Sequence, residues 1–155
     1  MASQSVEAPS LASRGNDDTA FHGAKLAIFV GRRLLTLLRD DNPDIPFPAH
    51  WDMIGGGREG RETPEECVLR ECLEETGVAL DPAALVWGKR YEISVGNVWF
   101  FVAHVPERLA GHFTLEDEGQ MLEFTTADDY LTREMAIPRF QSRLADYLAG
   151  VEAGP

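Results

Sequence analysis

A capped helix directly behind three consecutive glycines is the feature that most restricts how this chain can fold. Gly55, Gly56 and Gly57 are followed, after a short polar stretch, by Thr63-Pro64-Glu65-Glu66. Thr63 can accept from the amide of Glu66 while the Glu66 side chain reaches back to the Thr63 amide, a reciprocal capping box. Pro64 takes the first helical position, where its missing N–H is not needed. Thr76-Gly77 ends the segment, because Gly77 is free to adopt the left-handed conformation that closes many helices. At about 100° per residue, Val68, Leu69, Cys72 and Leu73 form one apolar stripe, and Glu71, Glu74 and Glu75 gather on a separate face. The pattern predicts a helix with a dry side and an acidic side.

Carboxylates at i, i+3 and i+4 repel by about 0.2–0.5 kcal/mol per pair on an exposed helix, a cost that a bound cation reverses. Oxygen donors without Cys or His partners suit Mg²⁺ or Mn²⁺, with water and phosphate oxygens completing an octahedron; zinc is the poorer match. Three glutamates alone are more often a solvated face, in a chain with 26 acidic residues. The glycines, the cap, Glu62 and Arg70 turn the pattern toward a metal site.

The rest of the chain alternates strands and helices. Lys25 to Val30 and Arg33 to Arg39 read as a hairpin about Gly31-Arg32, and Leu85 to Ser94 with Asn97 to Val105 as a second about Val95-Gly96. Apolar residues on both faces of the latter strand, Trp99 and Phe101 against Val98, Phe100 and Val102, require cover on both sides. Asp40 to His50 is a loop by its prolines and aspartates. Phe140, Leu144 and Leu148 have helical spacing and place a C-terminal helix on the sheet. The expected class is α/β (α+β), a sandwich of helices on both faces of a mixed central sheet.

The segment from Gly55 to Val78 resembles the signature of the Nudix hydrolases. Gly56, Glu62, Arg70, Glu71, Glu74, Glu75 and Gly77 fill its seven invariant-type positions. The resemblance implies an α/β/α sandwich and metal-assisted hydrolysis of a diphosphate linkage in a nucleoside diphosphate derivative, most simply a nucleoside di- or triphosphate. It implies Mg²⁺, with Mn²⁺ as an alternative, held by Glu71, Glu74, Glu75 and the Gly56 carbonyl. Glu62, Gly55, Gly57 and Gly77 would support the site, and Arg70 would aim Glu71. A further carboxylate from a distant loop is common in the family. Glu118, in Asp117-Glu118-Gly119-Gln120, fits that place and resembles the mutator-type nucleoside triphosphate hydrolases. Either Glu71 or Glu118 would take the proton from the attacking water. Ile54 stands where many relatives have proline, and Cys72 where they have Leu, Ile or Val; neither change removes a ligand.

Beyond the signature, Trp51 and Tyr91 can stack on a base and Arg39 and Arg58 can meet phosphates, although packing or solvated surface is the commoner role for such residues. The formal net charge of −12 opposes binding to nucleic acid polymers or anionic membranes. A small nucleotide can still bind through divalent cations. Residues 1–20 are expected to be a disordered tail with no signal peptide, residues 21–150 the domain, and 151–155 a short tail. Cys67 and Cys72 would lie about 7.5 Å apart along one helix, too far to bridge. Two free thiols suit the cytoplasm. The family resemblance also admits a homodimer, although no stripe of the sequence marks an interface. The rival reading is a nucleotide-sensing domain on the same scaffold, which would be expected to have lost signature carboxylates.

Overall fold

The computed structural model describes residues 20–153, so most of the expected N-terminal tail lies outside the described residues. The first hairpin joins β1 (Phe21–Val30) to β2 (Arg33–Leu38), with Ile28 opposite Leu35 and Gly31 at φ +62° in the turn. The second joins β5 (Leu85–Ile93) to β6 (Gly96–Val105), pairing Ile93 with Gly96. Both turns fall where glycine interrupts two runs of strand-forming residues.

The strand order is β3-β2-β1-β6-β5, with β3 at Trp51–Asp52. In addition, β4 (Ile54–Gly57) pairs with β1, and β7 (Met121–Thr125) pairs with β2. β1 and β6 run parallel and the other paired strands antiparallel, so the sheet is mixed. Neither the Trp51–Gly57 strands nor β7 is apparent from periodicity, because they are short and the former is rich in glycine.

Alternation along β1 and β6 sends side chains into two cores. Leu26, Ile28, Val30, Phe101 and Ala103 meet Cys67, Val68 and Cys72 of the Pro64–Thr76 helix. Ala27, Phe29, Phe100 and Val102 meet Phe140, Leu144 and Tyr147 of the C-terminal helix, Pro138–Ala153. That helix runs into the segment read as a short tail. A short helix, Ala127–Thr132, contributes fully buried Tyr130 to the second core. Each such large apolar side chain contributes about 1.5–3 kcal/mol by leaving water. Among the described residues, no helix is long and apolar enough to cross a membrane.

One departure from regular pairing positions the site. The first half of β1, Gly23 to Leu26, pairs with β4, while its second half, Ile28 to Val30, pairs with β2. β1 and β2 therefore diverge, and the Trp51–Gly57 segment enters the gap. Asp52 pairs opposite Leu37 and Ile54 opposite Leu26, with Met53 fully covered at the crossing. The glycines of β4 are thus fixed against the core strand, facing the Pro64–Thr76 helix.

Candidate functional site

The helix begins as its cap requires. The Thr63 Oγ accepts from Glu66 N at 3.1 Å, Glu66 Oε1 accepts from Thr63 N at 2.9 Å, and Gly77 closes the far end at φ +76°. Its faces do not divide as the spacing predicts. Leu73 is 49% exposed, whereas Cys67 is buried beside Val68 and Cys72. Glu75 lies on the helical wheel between the buried Cys67 and Val68, and Glu71 points the same way. Only Glu74 projects outward, its side chain 50% exposed against 14% for Glu71. The acidic and dry sides overlap because β4 presents glycine there: without side chains on the strand, carboxylates fit between helix and sheet.

The contacts at β4 make this concrete. Gly55 N donates to Glu75 Oε1 at 2.9 Å. A Cβ on Gly56 would stand 2.7 Å from the Glu71 carboxylate, so that carboxylate occupies the space a side chain would fill. Gly55 itself has φ +138° and is pressed on β1, where a Cβ would stand 2.2 Å from the Ala24 carbonyl oxygen.

Arg70 ties the helix to the loop. Its Nε and Nη2 donate to the two carboxylate oxygens of Glu62 at 2.5 and 3.1 Å, a forked pair. Nη2 also donates to the Gly57 carbonyl at 2.8 Å, and Nη1 to Glu71 and Glu74 at 3.0 and 3.1 Å. Arg70 holds the Glu62 carboxyl below the usual range. Burial raises Glu71 against the opposing pull of Arg70, and burial pushes Glu75 up to about 7 against the pull of Lys25. Two desolvated carboxylates side by side favour any compensating positive charge.

Glu71, Glu75 and Gly55–Gly57 line one cleft of about 490 Å³ together with Glu118, Lys25 and Arg39. The cationic wall is fixed from beneath. Asp52, 3% exposed in the gap between β1 and β2, accepts from Lys25 Nζ at 3.1 Å and Arg39 Nη1 at 2.9 Å. Glu118 comes from the loop before β7, which docks through Gly119 N to Asp40 Oδ2 at 3.3 Å and Gln120 Nε2 to the Arg39 carbonyl at 2.8 Å. Among the described residues, no three carboxylate, imidazole or thiol side chains converge tightly enough to cage a cation by themselves. The donor set nevertheless fits a hard divalent ion that shares its shell with water and phosphate: it is all oxygen, and Gly56 leaves room for the Glu71 carboxylate beside the backbone.

The remaining expected site residues fall elsewhere. Glu74 does not line the cleft and is held by Arg70; Gly77 serves as the helix cap. Of four expected substrate contacts, Arg39 alone lines the cleft. Arg58 braces the loop, donating to the Glu62 carbonyl at 3.0 Å and covering the Phe21 ring. Trp51 packs in the second core beneath Arg133, and Tyr91 donates to Asp146 at 2.7 Å on the C-terminal helix. Both aromatic side chains are held by packing at strand positions, which stacking propensity alone does not reveal. Lys25 and Asp52 were not singled out by sequence. Their signal is a lone charge inside each of two apolar strand segments, KLAIFV and WDMI, where burial demands a partner.

Comparison with known proteins agrees with this fold. The family model described as NUDIX domain matches residues 22–148. The fold is similar to that of the MutT protein from Methanosarcina mazei, with 20% identity and a TM-score of 0.63 over 82% of this chain and 91% of that one. It is also similar to an Ap4A hydrolase from C. elegans in a binary complex (19% identity, TM-score 0.66, 85% of this chain and 99% of that one). A third similar structure is a bifunctional NMN adenylyltransferase/ADP ribose pyrophosphatase from Francisella tularensis, complexed with AMP and a Mn ion. Its identity is 18% and its TM-score 0.61, over 86% of this chain and 42% of that one.

Proposed function

Because the chain belongs to the Nudix family, as a hydrolase acting on pyrophosphate bonds, we propose that it cleaves the diphosphate linkage of a nucleoside diphosphate derivative with Mg²⁺ or Mn²⁺. The observation that carries this reading is the meeting of Glu71, Glu75 and Glu118 with the β4 glycines in one cleft whose other wall bears Lys25 and Arg39. Glu71, Glu75, Glu118 and the Gly56 carbonyl would hold the metal, with Glu74 joining when its half-exposed side chain leaves Arg70. The metal, when bound, neutralises the diphosphate oxygens and lowers the pKa of a coordinated water.

The protein's own groups do the rest. Lys25 and Arg39, held by Asp52, present positive charge to the phosphate oxygens, which restrains the substrate before attack. Arg70 and Glu62 keep Glu71 against Gly56, so the carboxylate is placed before substrate arrives. The water's proton passes to Glu71 or Glu118; the exposed Glu118 exchanges it readily with solvent.

A panel of nucleoside di- and triphosphates, dinucleoside polyphosphates and ADP-ribose tests the reading, each assayed with Mg²⁺, with Mn²⁺ and with chelator. At least one should release a mononucleotide in a metal-dependent manner, and Glu71→Gln, Glu74→Gln and Glu75→Gln should each lower the rate by orders of magnitude. Tight nucleotide binding without turnover anywhere in the panel would favour a nucleotide sensor instead.

A further inference from the structure

A second cavity, of about 210 Å³, adjoins the acidic cleft and shares Lys25, Gly56 and Gly57 with it. Trp99 and Phe140 supply much of its apolar wall. Its charged or titratable lining consists of His22, Lys25, Arg139 and Arg143, with no aspartate or glutamate, in a chain whose formal net charge is −12.

Arg143 is the unusual member. It is only 7% exposed, yet among the described residues its guanidinium has no hydrogen bond or ion pair. Its cationic centre lies 4.7 Å from the Tyr91 ring centroid and 5.5 Å from that of Phe140. Aromatic faces stabilise a guanidinium, but they satisfy none of its N–H donors. Those donors lie in the guanidinium plane, in the fork geometry that matches a carboxylate or a phosphate. Arg139 stands one turn earlier on the same helix, its own guanidinium 5.5 Å from Phe140, so two cations share one wall; the Asp146 carboxylate acts on Arg143 only through space, lies outside the lining and accepts from Tyr91. The cavity also meets the first turn of the 16-residue C-terminal helix, whose dipole adds partial positive charge there.

We propose that this cavity is a subsite for a second anionic group, a carboxylate or phosphate, carried by the substrate beyond the diphosphate that is cleaved. The inference rests on the proposed hydrolase reading and narrows it: the preferred substrates are diphosphates with a further negative charge on the distal part. Lys25, held by Asp52, serves the diphosphate in the proposed reading, so recognition of the second group falls to Arg143, with Arg139 assisting at the mouth.

The test is calorimetric binding to the full chain with Mg²⁺, using methylene-bridged diphosphate analogues that cannot be cleaved between the phosphorus atoms. One pair compares the analogue of UDP-glucose with that of UDP-glucuronate, isolating a carboxylate. The other compares the analogue of ADP with its 3′-phosphorylated form, isolating a phosphate. The anionic member of at least one pair should bind about tenfold more tightly or better, and the pair that responds identifies the group. Arg143→Gln should bring that ratio close to one and Arg139→Gln should reduce it. The second variant alters an exposed residue and so keeps the test valid if the first fails to fold. Equal binding within both pairs, no measurable binding of any member, or a preference that survives both substitutions overturns the proposal. Turnover is not read here, so a failure of the hydrolase reading shows separately in the activity panel.

Discussion

Gly55 and Gly56 are neighbours in sequence but should respond oppositely to the same added methyl group. At Gly55 a Cβ would meet the Ala24 carbonyl oxygen at 2.2 Å and the Lys25 Cα at 2.7 Å, both backbone, and the φ of +138° is one that L residues rarely adopt. Backbone strain of this kind costs about 1–3 kcal/mol, and relieving the clash requires β4 to separate from β1. A loss of about 3 kcal/mol or more is expected for Gly55→Ala, which for a domain of this size lowers the melting temperature by about 10 °C. At Gly56 the nearest atoms the methyl meets all belong to the Glu71 carboxylate, 2.7 Å away at the end of a flexible side chain. Gly56→Ala should therefore melt within a few degrees of the wild type. Displacing that carboxylate by about 1 Å should still lower turnover about a hundredfold. Circular-dichroism melts and metal-dependent nucleotide release measure the two effects on the same preparations. If Gly56→Ala turned over at the wild-type rate, or melted as low as Gly55→Ala, the assignment of Glu71 to the space beside Gly56 would be wrong.

Asp52→Ala should destabilise the protein by about 3 kcal/mol in denaturant unfolding, because it leaves Lys25 and Arg39 facing each other without their shared, buried counterion. Glu62 has a carboxyl held below its unfolded value by Arg70, so its contribution to stability is complete above the unfolded pKa and is lost as pH falls through the folded one. The stability gap between wild type and Glu62→Gln should accordingly be widest near neutrality and shrink on acidification below the ordinary glutamate range, as urea midpoints across pH 6 to 3 will record. Cys67 and Cys72 are buried, with burial pushing their thiols up to about 12 and about 11. A thiol reagent should find neither in the native protein and both after unfolding; rapid native labelling would contradict the packing of the helix.

Elements with a strong local code were legible in the sequence. The two hairpins carry strand-forming runs separated by glycine turns, and the capping box of Thr63 and Glu66 needs no tertiary partner to be recognised. The β4 strand is different, since its glycines have little strand preference and are extended only because β1 pairs with them. That hidden pairing also misled the reading of the helix: a wheel assigns carboxylates to solvent, and nothing local indicates that Glu71 and Glu75 turn inward against bare backbone. Leu73 became exposed for the same reason, as the buried arc is centred nearer Glu75 than the apolar spacing suggests. Arg39 was legible as a candidate phosphate contact and does line the cleft, but its dependence on Asp52 arises from the divergence of β1 and β2, a tertiary event.

The threefold partnership of β1, with β2, β4 and β6, divides the cleft mechanically. Lys25 belongs to this strand, the β4 glycines are bonded to it, and Glu75 is fastened to Gly55, so these parts can shift only if the centre of the sheet opens. Glu118 instead approaches on a loop anchored by a few polar contacts at its edge. Amide exchange should show the same split, slow at Lys25 and Gly55 and fast around Glu118. One wall works as an anvil and the other as a latch, so natural variation can retune the loop without disturbing the register of the fixed half.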